Sequence, residues 1–401
     1  MQFNVGVQRE ISAGTVLTVD YVLNHGVGLP FFIPDFERRR DAATLNVAAA
    51  RTQVNRVLGG LTVDDWIQRN PTRNISAFGL ITDTIFQGLY PQMTRARLFQ
   101  GGFTKYQGLQ VAVRGRVRQK WGLRDVSYNV SYALGRAQNA NSAGSRVEFI
   151  TNPLNNRNWN DKATFGPHAL DRTHMFSTAL YMTAPGGFRL QSYWVFNTAP
   201  PRTITVPNLG GAISGAQGFF GTDLNGDGGT GTSPRGDVFP GINAGGMGRQ
   251  IHSFDELNKI ISAFNQNNAG KITPHGQALV TAGLFTEAQL RRLGAVVPTV
   301  PLVPTSNPWP FHNLFTTDLR FDRPIRLTKV REGFSVIPFV DFLNLFNHAP
   351  VGAYAGLLGR FGSLNYDYSA APAGQKLSDL YAQTHRITPT RRIQVGVRVE
   401  F

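Results

Sequence analysis

Nine segments of this 401-residue chain alternate apolar and polar residues with a period of two. They cover residues 2–10, 15–23, 103–118, 122–136, 172–183, 188–198, 314–325, 332–346 and 391–401. In the last of them, "RRIQVGVRVEF", one face carries Gln, Gly, Arg and Glu, and the other consists of Ile393, Val395, Val397, Val399 and Phe401. Successive side chains of a strand point to opposite faces, so each segment predicts a strand with one apolar and one wet face.

The connections between these segments alternate strictly between short and long. Residues 11–14, 119–121, 184–187 and 326–331 form the short ones, and residues 24–102, 137–171, 199–313 and 347–390 form the long ones. Short turns on one side and long loops on the other are typical of outer-membrane barrels, in which the long loops face outward. A soluble β-sandwich has no physical reason to sort its loops by length. The pattern therefore predicts an all-β fold, an antiparallel transmembrane β-barrel with long extracellular loops.

The composition limits which other classes of protein the chain could belong to. Charged residues make up 16% of the chain and there are 43 glycines, which favours strands and turns over helices. No apolar run approaches the roughly 20 residues of a membrane-spanning helix, so a helical membrane protein is excluded. The net charge of +15 raises the alternative of a soluble, basic β-protein that binds nucleic acid. We expect no nucleic-acid partner, because the arginines are dispersed within strands, as in Arg114, Arg116 and Arg118.

The longest connection contains helix signals of its own. "SFDELNKIISAF" begins with a capping Ser253 and has Glu256 at the capping-box spacing, and "FTEAQLRRLG" runs from a capping Thr286 to a stop at Gly294. The long loops are therefore predicted to be partly helical. A tenth strand is conceivable near "SAFGLITDTIF", so the strand count is nine or ten.

One motif raises the question of a metal site. "DLNGDG" places Asp223, Asn225 and Asp227 at the first, third and fifth positions of a calcium loop. Pro234 occupies the twelfth position, where a bidentate Glu is expected, and Asp237 could replace it by folding back. Ordinary turn chemistry explains the same residues. Calcium is therefore one reading of this loop and a purely structural turn is the other.

Other polar residues give no sign of catalysis. His174 follows Asp171 closely, but it starts a strand, and the chain has neither a GxSxG elbow nor a second histidine at metal-ligand spacing. A packing or hydrogen-bonding role is the simpler interpretation. We expect that the chain is not an enzyme and carries no organic cofactor.

Arginines recur on the polar face of the strands, where they would line a lumen. The set includes Arg114, Arg116, Arg320 and Arg398. They could attract an anionic substrate, or they could pair with carboxylates. Those carboxylates include Asp318, Asp322, Asp341 and Glu400.

Several stretches together resemble a known family. They are "NVGVQREISAGTVLTVDYVLNHGVGLP", "YQGLQVAVRGR", "YNVSYALGRA", "DRTHMFSTALY", "TDLNGDG", "VDFLNLFNHAPV" and "RRIQVGVRVEF". In this order, from residue 2 to residue 401, they look like the C-terminal half of an Oar-like TonB-dependent outer-membrane receptor. The resemblance implies a barrel of 22 strands with a plugged lumen, energised by the TonB complex. It also implies that the last strand, ending in Phe401, is the signal read by the barrel-assembly machinery.

The resemblance leads to expectations about the whole protein. Residues 1–401 would be the C-terminal part of the barrel, with neither a plug domain nor a TonB-contacting segment, which suggests a truncated chain. Such a protein would lie in the outer membrane of a Gram-negative bacterium, contact its lipid, and take up a bulky extracellular solute through its long loops and the missing plug. The alternative is a surface adhesin or structural outer-membrane protein that uses the same loops without transport.

Overall fold

The computed structural model describes residues 1–401 except 34–39, 83, 88–96, 121, 141–149, 152–164, 169, 207–214, 229–236, 304, 306–308, 310, 330 and 349–389. The described part contains twelve strands. They are β1 Gln2–Ser12, β2 Thr15–Ile33, β3 Arg97–Lys120, β4 Leu123–Ala140, β5 Ile150–Thr151, β6 Phe165–Pro167, β7 His174–Thr183, β8 Arg189–Asn197, β9 Leu314–Asp322, β10 Ile325–Arg326, β11 Ser335–Leu343 and β12 Arg392–Glu400. All nine predicted strands are present, and the three additional ones are only two or three residues long.

The nine long strands form one antiparallel sheet. Its order is β1, β2, β3, β4, β7, β8, β9, β11 and β12, so strands that follow one another along the chain are hydrogen-bonded neighbours. Up-and-down order of this kind is that of membrane barrels. Among the described strands, β1 and β12 are the two ends of the sheet and no pairing joins them, so the barrel is not closed. The fold class predicted from the pattern is confirmed.

The strand register puts the apolar residues of neighbouring strands on one face. Val5 lies opposite Tyr21, Tyr21 opposite Leu109, and Leu109 opposite Leu134, and directly opposed residues share a face. These side chains are exposed over 39–54% of their surface, which would be a large apolar patch for a protein in water. We call this the outer face, which suits hydrocarbon, and the opposite polar face the inner face.

The three longest strands exceed what a membrane needs. β3 has 24 residues, β2 has 19 and β4 has 18, whereas a membrane-spanning strand takes about 9–11. The extra length lies at the long-loop end, where residues 29–33 of β2 pair with residues 97–102 of β3. The predicted end of β2 at residue 23 and the predicted start of β3 at residue 103 therefore made both strands too short. The backbone pairing of the two strands continues through residues whose apolar and polar side chains do not alternate cleanly.

Two of the four long connections, β2–β3 and β8–β9, carry the α-helices of the described part of the chain. They are α1 Val47–Leu58, α2 Val63–Arg69, α3 Gly215–Thr222, α4 Phe254–Asn267, α5 Pro274–Thr281 and α6 Glu287–Arg292. Ser253 and Thr286 cap α4 and α6 as predicted, by accepting hydrogen bonds from the backbone N–H of Glu256 and Gln289. The tenth strand suggested near residues 76–86 was wrong: this segment starts with a 3-10 helix, Ile75–Phe78, and is buried by apolar packing. No helix in the described part of the chain is long and apolar enough to cross a membrane.

The described residues of these two connections, 40–87 and 199–313, fold together, and we call this unit the cap. Phe78 packs edge-on against Phe285 at 5.1 Å, and Phe86 lies 5.5 Å from Phe219. The first core thus mixes residues of both connections, and a second core lies within residues 199–311. Because each connection buries apolar residues of the other, the cap is one folded unit instead of two separate loops.

Candidate functional site

The inner face of the sheet forms a cleft of about 830 Å³. Its polar lining comes from six strands and includes Arg114, Arg116, Ser127, Asn129, Tyr181, Gln191, Tyr193, Asp318, Arg320 and Asp341. A second cleft of about 690 Å³ lies further along the same face and shares Arg114. The inner face is therefore concave and bears charged, amide and hydroxyl side chains, as expected for a lumen wall.

Ion pairs neutralise part of this wall. Asp322, which is 3% exposed, accepts hydrogen bonds from the guanidinium groups of Arg189 and Arg320, and the latter contact measures 3.2 Å. Arg320 also lies 3.3 Å from Asp341, and its guanidinium covers the ring of Phe339 at 4.2 Å. Of the two alternatives for the wall arginines, internal pairing therefore holds for Arg320. The ring of Phe339 in turn lies against Gly396 of β12, where a Cβ would come within 2.6 Å of it.

The other wall arginines are more exposed. Arg398 pairs with Glu400 at 3.0 Å, and Arg116 lies 3.7 Å from Asp125. The side chains of both pairs are about half exposed or more, so water screens them and each pair contributes little to stability. Asp318 accepts a hydrogen bond from the backbone N–H of Asn344.

The "DLNGDG" loop is a buried carboxylate cluster in the cap. One oxygen of Asp223 accepts hydrogen bonds from the N–H groups of Gly226 and Asp227, and the other accepts from Gly228, at 2.8–3.2 Å. Asp237 does fold back, and one of its oxygens accepts from the N–H groups of Leu224 and Asn225.

Burial makes the carboxylates of this cluster hard to ionise. Desolvation, together with the charges of Asp227 and Asp237, raises the pKa of Asp223 well above its usual value. Desolvation and the charge of Asp227 raise the pKa of Asp237 to about 7. His275 is fully buried beside them, with Nδ1 3.4 Å from Asp223 and Nε2 2.6 Å from the carbonyl oxygen of Arg40. Because a carbonyl oxygen can only accept, Nε2 donates to Arg40, and Nδ1 faces the carboxyl group of Asp223.

The predicted calcium ligands are thus partly brought together. Three of the four predicted residues, Asp223, Asp227 and Asp237, are at least 90% buried near one another, while the amide of Asn225 contacts Asp237. Across the described residues, no group of three His, Cys, Asp or Glu side chains converges at metal-ligand geometry. Backbone N–H groups hold the carboxylate oxygens in a turn. Calcium binding stays a prediction.

A buried ion pair anchors the cap to the sheet. Asp171 is 3% exposed, and its two oxygens accept from the N–H of Ala137 on β4 at 2.6 Å and from Nε of Arg249 in the cap at 3.0 Å. Arg249 also donates to the carbonyl oxygens of Asp171 and Ala199, both at 2.9 Å. His174 contacts the hydroxyl of Tyr132 at 2.8 Å, which agrees with the hydrogen-bonding role predicted for it.

The "VDFLNLFNHAPV" stretch ends β11 in a tight turn. Asn344 has φ of 52°, its N–H donates to Asp318 at 2.8 Å, and its side chain bonds His348 in both directions. Asparagine tolerates this left-handed conformation better than most residues. The turn bends the chain back so that the N–H of Leu345 still reaches Thr317 of β9, at 2.7 Å.

The predicted assembly signal forms an edge strand. β12 pairs with β11 from Ser335 opposite Glu400 to Leu343 opposite Arg392. Its apolar side chains lie on the outer face and are 47–74% exposed; they are Ile393, Val395, Val397 and Val399. Phe401, directly after the strand, is 83% exposed. The position at the sheet edge fits the predicted signal, and recognition by the assembly machinery stays a prediction.

A match to a known protein family agrees with this architecture. Residues 1–210 match the family described as outer membrane beta barrel domain, and no curated protein matches the chain. The crystal structure of the outer membrane transporter YddB from Escherichia coli is similar over 87% of this chain and 28% of that chain, with 9% identity and a TM-score of 0.35. The RagAB peptide importer in the 'open-open' state is similar over 86% of this chain and 30% of that chain, with 8% identity and a TM-score of 0.33. The chain thus spans less than a third of the length of either protein.

Proposed function

The chain belongs to the outer membrane beta barrel domain family and is located in the outer membrane, and from this premise we propose that it is part of a TonB-dependent receptor that takes up a bulky solute. The observation that carries the proposal is the combination of a polar, concave inner face with a folded cap over its long-loop end. A barrel that serves only as a membrane anchor needs neither a polar, concave inner face nor a folded cap. In the proposed protein, the cap and a plug contributed by further chain select the solute, and the TonB complex supplies the energy.

Several features of the described residues support this view. Short turns and long connections alternate along the sheet, and two of the long connections fold into the cap. The edges of β1 and β12 carry backbone groups that hydrocarbon cannot satisfy, at several kcal/mol for each unpaired group, so further strands are needed to close the wall. The resemblance to Oar-like receptors implies that the complete barrel has 22 strands and that its lumen contains a plug.

A second candidate is a surface adhesin or structural protein, and one observation favours it. The cap has two buried cores and is fixed to the sheet by the Asp171–Arg249 pair, so it could hold a partner without moving. In that case the inner face would be a hydrophilic filling of the barrel and not a path.

The two candidates differ in what happens to a captured molecule. Strains with the intact gene, with the gene deleted and with the gene restored would be grown in complex medium, and the spent medium analysed by mass spectrometry. An uptake receptor should deplete specific compounds only when the gene is present, and a protonophore should stop the depletion because TonB needs the proton gradient. A compound that is held at the cell surface with or without the protonophore would favour the adhesin. Identical spent media in all three strains would refute the uptake proposal.

A further inference from the structure

Three arginines follow one another on the inner face of β3, and we call them the arginine ladder. Arg114, Arg116 and Arg118 occupy alternate positions of one strand, so they share a face and stand about 7 Å apart along it. All three are exposed. The register places Arg114 opposite Val16 and Asn129, and Arg116 opposite Ser127, so neither of these two arginines has an acidic residue as a directly opposed neighbour on β2 or β4. The same register places Arg118 opposite Asp125 of β4.

The charge of the ladder is poorly balanced by the described wall. Its one ion pair among the described residues is the exposed contact of 3.7 Å between Arg116 and Asp125. Across the cleft, the charges of Arg189 and Arg320 are matched by Asp322 and Asp341, which they contact directly. With Asp318 also in the lining, the far side of the cleft has three aspartates against two arginines, and the positive charge of the cleft is concentrated on the ladder side.

Hydrogen-bonding side chains continue the ladder into the cleft. Ser127 and Asn129 of β4 line it beside Arg114 and Arg116, followed by Gln191 of β8. The volume of about 830 Å³ is within the range of sites for small molecules. Guanidinium groups bind carboxylate and phosphate oxygens in a forked geometry, and neighbouring amides and hydroxyls can complete such a site.

We propose that the arginine ladder and the adjoining cleft bind a small solute that bears several carboxylate or phosphate groups. The inference rests on the proposed uptake function, for which it names the class of solute. Alternate spacing of the guanidinium groups along β3 favours a multiply charged anion over a single one, because two charges can then be contacted at once. The second cleft, which shares Arg114, continues the same polar surface toward the cap.

The test is direct binding to the protein as the intact gene expresses it, purified from outer membranes in a non-ionic detergent and measured by equilibrium dialysis with radiolabelled citrate and pyrophosphate. Sucrose serves as the neutral probe and spermidine as the cationic one. We expect citrate, pyrophosphate or both to be retained over sucrose and spermidine. Arg114→Gln with Arg116→Gln should weaken that binding at least tenfold, and raising NaCl from 50 to 300 mM should weaken it as well.

Two further variants keep the test decisive. Arg331→Gln removes the same kind of charge from an exposed turn outside the cleft and should leave binding unchanged. Arg114→Lys with Arg116→Lys keeps the charge and should retain part of the binding. The proposal is overturned if the anions are retained no better than sucrose, or if the double Gln variant and Arg331→Gln behave alike. Binding is measured without transport, so either result leaves the spent-medium test of uptake independent.

Discussion

The Asp171–Arg249 pair predicts how firmly the cap is held. In the variant Arg249→Met, the carboxylate of Asp171 would keep its hydrogen bond from Ala137 but lose its only cationic contact in the described residues. Asp171 is 3% exposed, and removing one partner of a buried ion pair costs about 3–5 kcal/mol because the other charge stays buried. Two carbonyl oxygens, those of Asp171 and Ala199, would also lose their donor.

Hydrogen exchange under native conditions measures this loss where it should occur. A cost of about 3 kcal/mol in cap opening makes amides of α4 exchange roughly 100-fold faster, since about 1.4 kcal/mol corresponds to a factor of ten. Amides in the middle of β4, such as that of Val130, should keep their rates because the sheet does not depend on the cap. Arg292→Met is the matched control: Arg292 lies 3.4 Å from Asp64, both side chains are more than half exposed, and the expected cost is at most about 1 kcal/mol.

A double variant separates the buried charge from lost packing. Asp171→Asn together with Arg249→Met removes both charges, so it should exchange more slowly than Arg249→Met alone. The reasoning is refuted if Arg249→Met and Arg292→Met accelerate the exchange of the α4 amides equally. It is also refuted if the free-energy cost of cap opening in the double variant equals the sum of the costs in Asp171→Asn and Arg249→Met.

Three further predictions concern the turn after β11, the carboxylate loop and the orientation of β12. Asn344→Ala should lower the free energy of unfolding by about 1–3 kcal/mol, because alanine disfavours a φ of 52°. Asn344→Gly should lower it by less, because glycine adopts this φ without strain. Thermal unfolding in detergent measures both losses, and equal losses would contradict the prediction. With a chelator present, the cap should melt at a higher temperature at pH 5 than at pH 8 by circular dichroism at 222 nm, because the pKa of Asp237 is raised from 3.8 to about 7 and the stabilisation present below pH 4 is lost as the pH rises to 7. At pH 8, 1 mM calcium should restore that stability if the metal prediction holds, and an unchanged melting temperature would end it. A fluorophore attached to a cysteine at Val397 should be quenched by brominated lipid, whereas one at Arg398 should not, and the reverse result would invert the two faces of the sheet.

The strands could be predicted from the sequence because their alternation reports a local property. Each of the nine segments has two faces that meet different surroundings, and a period of two is visible without knowing the partner strand. The outer ends of β2 and β3 were missed because residues 29–33 and 97–102 are held by cross-strand pairing, which depends on the partner and not on alternation. The same limit explains the false strand near residues 76–86, whose apolar residues fill a core shared with another connection.

The contacts of the cap could be predicted only in part. The helix N-cap residues Ser253 and Thr286 could be predicted, because an N-cap is recognised from residues only three positions apart in the sequence. The Asp171–Arg249 pair joins residues 78 positions apart, and nothing in the local sequence marks either as buried. Aromatic segments such as "ISAFGLI" and "GFFGT" were the available signal for the shared core, because so many apolar residues in a connection need burial somewhere.

The length of β3 has a consequence for what can reach the cap. At about 3.3 Å per residue, 24 residues extend roughly 80 Å, and a strand tilted by about 40° still rises roughly 60 Å, about twice the hydrocarbon thickness. The hairpin of β2 and β3 therefore stands well clear of the lipid, and it lifts the helices α1 and α2 with it. Large particles such as antibodies or bacteriophages would therefore contact the helices α1 and α2 before they contact the membrane surface.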